Sequence, residues 1–130
     1  MILLDTHMVW WLAYEPHRLS QQAAEAIRAR QFTPNALAIS AVTLYELAWL
    51  LEKGRLRISV AASVFLGRVE QQFAILPVTG LVAVGTAGLP ATFQSDAMDR
   101  IIVATAIVTG RTLVSVDGGI LSANLCKTVS

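Results

Sequence analysis

The sequence predicts an α/β domain built on a parallel sheet covered on both faces. Three observations predict it. Short continuous apolar runs, such as Ile2-Leu3-Leu4 and Thr112 to Val116, read as strands buried on both faces. Helix-like segments separate these runs, as the crossovers of parallel strands require. Two of the runs end on an aspartate, Asp5 and Asp117, and ligands of open parallel sheets bind outside the carboxyl ends of the strands.

The elements follow in order. Ile2 to Leu4 is a strand, and His7 to Tyr14 a short aromatic helix closed by Pro16. Ser20 is placed to cap a helix from Gln21 to Arg30, with Ala23, Ala24 and Ile27 on one side. Thr33-Pro34-Asn35 is a turn before a second strand, Ala36 to Ile39. Ser40 caps a helix that runs to about Lys53 and stops at Gly54. Ser59 is read as the cap of the next helix, ending near Gln72, followed by a strand from Ala74 to Val78. Leu81 to Ala87 reads as a short helix, weakened by Gly85 and Gly88, with a loop at Pro90 to Gln94. Ser95 or Asp96 caps a helix from Ala97 to Val108, which Gly110 ends. Thr112 to Val116 is the clearest strand, Asp117-Gly118-Gly119 a turn, and Ile120 to Asn124 a last short helix. Thr128-Val129 adds an edge strand, for a sheet of four to five strands.

The 130 residues fit a single domain, 1–130, with enough chain to bury a core. Hydrophobic residues make up 55% and charged residues 15%, against about 25% charged in an ordinary globular protein. So few charges leave an apolar face for a second copy, another protein, or both. A net charge of +1 does not announce nucleic-acid binding, although clustered acids offset basic patches in that sum. Cys126 is the only cysteine, in keeping with a reducing cytoplasm. The opening MILLDTHMVWW has no basic leader and breaks its apolar run at Asp5, so no secretory signal is expected. Ala36 to Leu51 contains Ser40, Thr43, Tyr45 and Glu46 and falls short of the roughly 18–20 apolar residues of a membrane span.

Asp5, Glu46, Asp99 and Asp117 stand in apolar surroundings, where an unpaired charge costs several kcal/mol. Convergence on a divalent cation would compensate all four. Asp5 reads equally as a metal ligand supported by the Thr6 hydroxyl or as a helix N-cap. Glu46 shares a helix side with Val42, Trp49 and Leu50, which favours a compensated acid over a surface one. Asp96 suits a helix start, whereas Asp99 falls in the first turn with the cap already supplied. Arg100 is a partner for Asp99 or for a substrate phosphate. Asp117 is either a plain Asp-Gly turn residue or the counterpart of Asp5 at another strand end. Lys53, Arg55 and Arg57 read first as a solvated helix end, with holding phosphates by charge alone as the alternative, and Trp10, Trp11 and Trp49 as core or interface anchors rather than base-stacking platforms. His7 and His17 lack metal-ligand spacing, and no phosphate loop or nucleophile elbow occurs.

MILLDTH, AISAVTLYELAWLLEKGRL and DAMDRIIVATA followed by TLVSVD occur in this order over nearly the whole chain. Together they resemble a PIN domain, specifically the ribonuclease toxin of VapBC-type toxin–antitoxin pairs. The resemblance implies a three-layer α/β/α sandwich with a central parallel sheet. It maps the family's acidic quartet onto Asp5, Glu46, Asp99 and Asp117, with Asp96 beside it and Thr6 and Ser115 as supporting hydroxyls. It further implies a Mg2+- or Mn2+-dependent endoribonuclease, an RNA substrate, a homodimer, and a small antitoxin that inserts near the site. Where relatives often carry a histidine and a proline around Asp96, this chain has Ser95 and Ala97. Two other readings compete. A receiver-like phosphoacceptor domain also sets acids at strand ends, but it needs a lysine near the last strand's end, where only Arg111 precedes it. A catalytically inert interaction module would use the apolar surface alone.

Overall fold

The computed structural model describes residues 1–130. Five strands form one sheet: β1 Ile2–Leu4, β2 Leu37–Ser40, β3 Ala74–Leu76, β4 Thr112–Val114 and β5 Thr128–Val129. Their order is β3-β2-β1-β4-β5, and every pairing is parallel. The chain builds outward from β1 to β3, then returns to place β4 on the other side of β1. That reversal puts a crevice at the carboxyl ends of β1 and β4.

Seven helices connect the strands: α1 Thr6–Tyr14, α2 Gln21–Arg28, α3 Ala41–Glu52, α4 Ala62–Gln72, α5 Gly80–Ala87, α6 Ala97–Thr109 and α7 Gly118–Ala123. Strand alternation sorts the core into two layers. Ile2, Leu4, Leu37 and Ile39 pack with Met8, Trp10, Ile27, Leu47, Phe65 and Val69 on one face. Leu3, Ala38 and Leu113 pack with Phe93, Ile102, Val103, Ala106 and Ile120 on the other. The predicted three-layer α/β/α sandwich is what forms. No helix is long and apolar enough to cross a membrane.

Most differences from the sequence reading lie at element ends. α1 begins at Thr6, because Asp5 takes the cap position and its carboxylate accepts the Thr6 amide. Pro16–Arg18 forms a single 3-10 turn after α1. Ser59 does not cap α4; Ala61 occupies that position without a side-chain bond. β3 stops at Leu76, one residue before Pro77, which has no amide to give the ladder. Asp117-Gly118-Gly119 is not an isolated turn. Asp117 caps α7 by accepting the Ile120 amide, which overrides the poor helix propensity of two glycines. Ser20, Ser40 and Asp96 cap α2, α3 and α6 as read. Gly110 ends α6 at φ +67°, a conformation that disfavours side chains.

Candidate active site

The register of β1 and β4 builds the site. Leu4 lies opposite Val114, and the Asp5 amide continues the ladder by donating to the Val114 carbonyl at 3.0 Å. One step further the two chains exchange side-chain contacts. Ser115 Oγ donates to Asp5 Oδ2 at 2.8 Å and accepts the Asp117 amide at 3.1 Å. The Thr6 amide donates to Asp5 Oδ1 at 2.8 Å. Both readings of Asp5 therefore hold geometrically: it caps α1 and faces the crevice. It is 6% exposed, and hydrogen bonds to both oxygens answer the desolvation that such burial imposes.

β2 leads into α3, which brings Glu46 to the same place. Thr6 Oγ1 donates to Glu46 Oε1 at 2.6 Å and lies 3.1 Å from Thr43 Oγ1. The Thr6 hydroxyl thus supports Glu46, not Asp5, whose support from this residue is the backbone amide. As the first residue of α1, Thr6 turns its side chain towards α3. From the other layer, α6 presents Asp99, whose Oδ2 accepts Ser95 Oγ at 2.9 Å, while Asp96 Oδ1 accepts the Asp99 amide at 2.8 Å.

These groups line one cavity of about 400 Å³, with Asp5, Glu46, Asp96, Asp99 and Asp117 joined by His7, Trp11 and Val116. A second cavity of about 290 Å³, beside Leu37 and Ala74 where β2 and β3 begin, contains no acid. The cluster of acids therefore lies at the carboxyl edge of the sheet. Asp117 is exposed, Glu46 and Asp99 half-buried, so only Asp5 meets the full apolar setting that the sequence suggests for all four. Arg100 does not join them. Its guanidinium donates to the Phe93 and Leu89 carbonyls at 2.6 and 3.3 Å, fastening the loop before α6. Those carbonyls belong to a loop whose path the sequence pattern does not encode. His7 and Trp11, one turn apart on α1, are pocket residues that sequence reading set aside; their i, i+4 spacing from the strand end is the signal that could have found them.

No arginine or lysine pairs with any pocket carboxylate; the single ion pair in the protein is Arg18–Glu15. Burial pushes Asp5 and Glu46 above the ordinary carboxylate range, against the pull of their hydroxyl and amide donors. Asp99 is pushed up to about 6, by burial first and then by the charges of Asp5, Asp96 and Asp117. The surroundings thus have an unmet demand for positive charge. The donors are all oxygen, the kind that suits Mg2+ or Mn2+. No three Asp, Glu, His or Cys side chains gather closely enough to form a finished cage. Any ion held here would take one or two carboxylates directly and complete its shell with water, as Mg2+ commonly does.

A five-stranded parallel sandwich with an acidic crevice at its switch point defines a class of α/β protein. A profile of the PIN domain matches residues 2–124. The chain is 36% identical over 116 residues to Ribonuclease VapC22 of Mycobacterium tuberculosis, covering 89% of this chain and 86% of that protein. Among solved structures, FitAcB from Neisseria gonorrhoeae superposes with a TM-score of 0.67 at 26% identity, covering 100% of this chain and 97% of the other. VapBC2 from Rickettsia felis, bound to a DNA fragment from its promoter, superposes with a TM-score of 0.75 at 15% identity, covering 99% and 98%. This chain belongs to the PIN-domain family.

Proposed function

We propose that this protein is a metal-dependent endoribonuclease that hydrolyses RNA phosphodiester bonds and serves as the toxin of a toxin–antitoxin pair. The observation that carries the reading is the cavity at the β1–β4 crevice, walled by five carboxylates without a cationic partner. Kinship with Ribonuclease VapC22 supports the substrate class.

In this reading Asp5, Glu46, Asp99 and Asp117 hold Mg2+ or Mn2+. When bound, the ion supplies Lewis acidity at a phosphate oxygen and neutralises charge on the attacked phosphate. The chain's own residues do the rest. Ser115 and the Thr6 amide fix both oxygens of Asp5, so its rotamer is set before anything binds. Thr6 Oγ1 holds one oxygen of Glu46, and Ile120 N one oxygen of Asp117. Ser95 holds Asp99 Oδ2, which leaves Oδ1 to orient the attacking water and accept its proton. Asp96 adds negative charge beside the site, and Arg100 acts at a distance by fixing the loop that leads into α6.

Partners follow from the same reading. Solved PIN-fold relatives are described as VapBC and FitAB assemblies, and a small antitoxin is the partner proposed here. A homodimer would cover exposed apolar residues of α5 and α6. A lone cysteine without a disulfide partner and an RNA substrate support a cytoplasmic location.

The test is cleavage of RNA by the purified protein with Mg2+, with Mn2+ and with EDTA. Cleavage that EDTA abolishes is expected. Asp5→Asn keeps the α1 cap, since asparagine caps as well as aspartate, and should remove cleavage while the protein stays folded. Full activity in EDTA sinks the metal reading, and a fully active Asp5→Asn removes Asp5 from the site. No cleavage under any condition favours the inert interaction module.

A further inference from the structure

A nucleic-acid strand entering this cavity meets five carboxylates and no lysine or arginine in the wall. A single dication cannot answer both those acids and the phosphates that flank the one being cut, so the strand needs a cation at the rim. One guanidinium stacks on a residue of the cavity wall. Trp11 lines the cavity, and Arg18 Cζ sits 4.5 Å from the centre of the Trp11 ring. Arg18 Nη1 lies 3.4 Å from Glu15 Oε1, with half of its side chain left open to solvent. The other Glu15 oxygen accepts Trp10 Nε1 at 2.9 Å, which ties the carboxylate back to α1.

The remaining arginines with a side-chain partner are engaged elsewhere. Arg30 bonds the Ala26 carbonyl, Arg100 the Phe93 and Leu89 carbonyls, and Arg111 the Asn35 carbonyl. Arg55 rests on Trp49. A surface ion pair such as Arg18–Glu15 adds little to stability. Its effect is to hold a guanidinium in one place with donors to spare. A planar guanidinium gives several donors in a fork that matches phosphate oxygens.

We propose that Arg18, stacked on Trp11 and tethered by Glu15, grips a backbone phosphate of the RNA strand next to the one that is cleaved. The assignment deepens the ribonuclease reading and rests on it for the choice of ligand. Neutralising one phosphate of a single strand releases counterions and steepens the salt dependence of binding by about 0.7.

The experiment measures binding of a fluorescein-labelled single-stranded RNA oligonucleotide across a KCl series by anisotropy. Asp5→Asn serves as the parent, so that the strand stays intact. Adding Arg18→Gln should weaken binding severalfold at low salt and lower the slope of log K against log salt by about 0.7. Arg18→Lys, which keeps the charge, should retain most of the slope. An unchanged slope for Arg18→Gln overturns the proposal, whether or not affinity falls, because lost packing alone leaves the slope where it was. Absence of RNA binding by the parent overturns it as well. If the native protein cleaves RNA and the slope does not move, only the Arg18 grip fails. If the slope moves as expected but the native protein cuts no RNA, the grip stands and the nuclease reading fails.

Discussion

Ser115 illustrates how much one small side chain settles at this site. Its hydroxyl is fully buried, donates to Asp5 and accepts the Asp117 amide. Ser115→Ala would leave a buried carboxylate oxygen and an amide without partners, at a cost of about 1–3 kcal/mol. Urea denaturation is expected to show that loss, together with reduced RNA cleavage because Asp5 Oδ2 is no longer held. An unaltered midpoint and rate would mean that water replaces the hydroxyl at no cost. The acids themselves were legible from the sequence because apolar runs make a charge conspicuous. Asp5 ends β1, and Glu46 interrupts an apolar helix side. His7 and Trp11 escaped notice because α1 is apolar almost all round, so its pattern does not mark the edge that faces the crevice. Arg100 was misplaced because sequence adjacency to Asp99 says nothing about side-chain direction within a helix.

At the scale of elements, the strands were readable from continuous apolar runs and the helices from their caps. Their ends were less so where Asp-Gly chemistry fits both a turn and a helix start, as at α7. Part of the apolar surface expected from the low charge content lies on α5 and α6. Leu81 and Val84, one turn apart on α5, are 73% and 74% exposed, and Ile107 and Val108 of α6 are also exposed. A Cβ built on Gly85 would lie 3.5 Å from Val108, so the two helices pack side by side there. Exposed large side chains on paired helices favour burial against a second copy. For the proposed homodimer, Leu81→Glu combined with Val84→Lys should shift the mass in light scattering from dimer to monomer without loss of the circular dichroism spectrum. A double variant that keeps the parent's mass would place the dimer contact elsewhere.

For the molecule as a whole, the acids impose a pH dependence whose sign is fixed. Folding raises Asp5, Glu46 and Asp99 above their unfolded values, Asp99 from 3.8 to about 6. The folded state then holds protons that the unfolded chain has released, so stability falls as pH rises through that window. The melting temperature of metal-free protein should be higher at about pH 5 than at about pH 7.5. In the proposed reading Mg2+ binds the folded state alone, and it should then raise the melting temperature more at the higher pH, where the carboxylates are ionised. Differential scanning fluorimetry in EDTA and in Mg2+ checks both. Equal melting temperatures at the two pH values without metal, or no response to Mg2+, would show that the carboxylates are not coupled through one site.

The bond between Ser115 and Asp5 spans 110 residues of chain. On a ribosome, β1 emerges long before β4 has been made, and Asp5 waits without its Ser115 anchor. A stalled or truncated product ending before residue 112 contains Asp5, Glu46 and Asp99 but neither the strand that orients the first nor the last acid. In the proposed reading, the acid set is therefore incomplete on the nascent chain until β4 and Asp117 have been made.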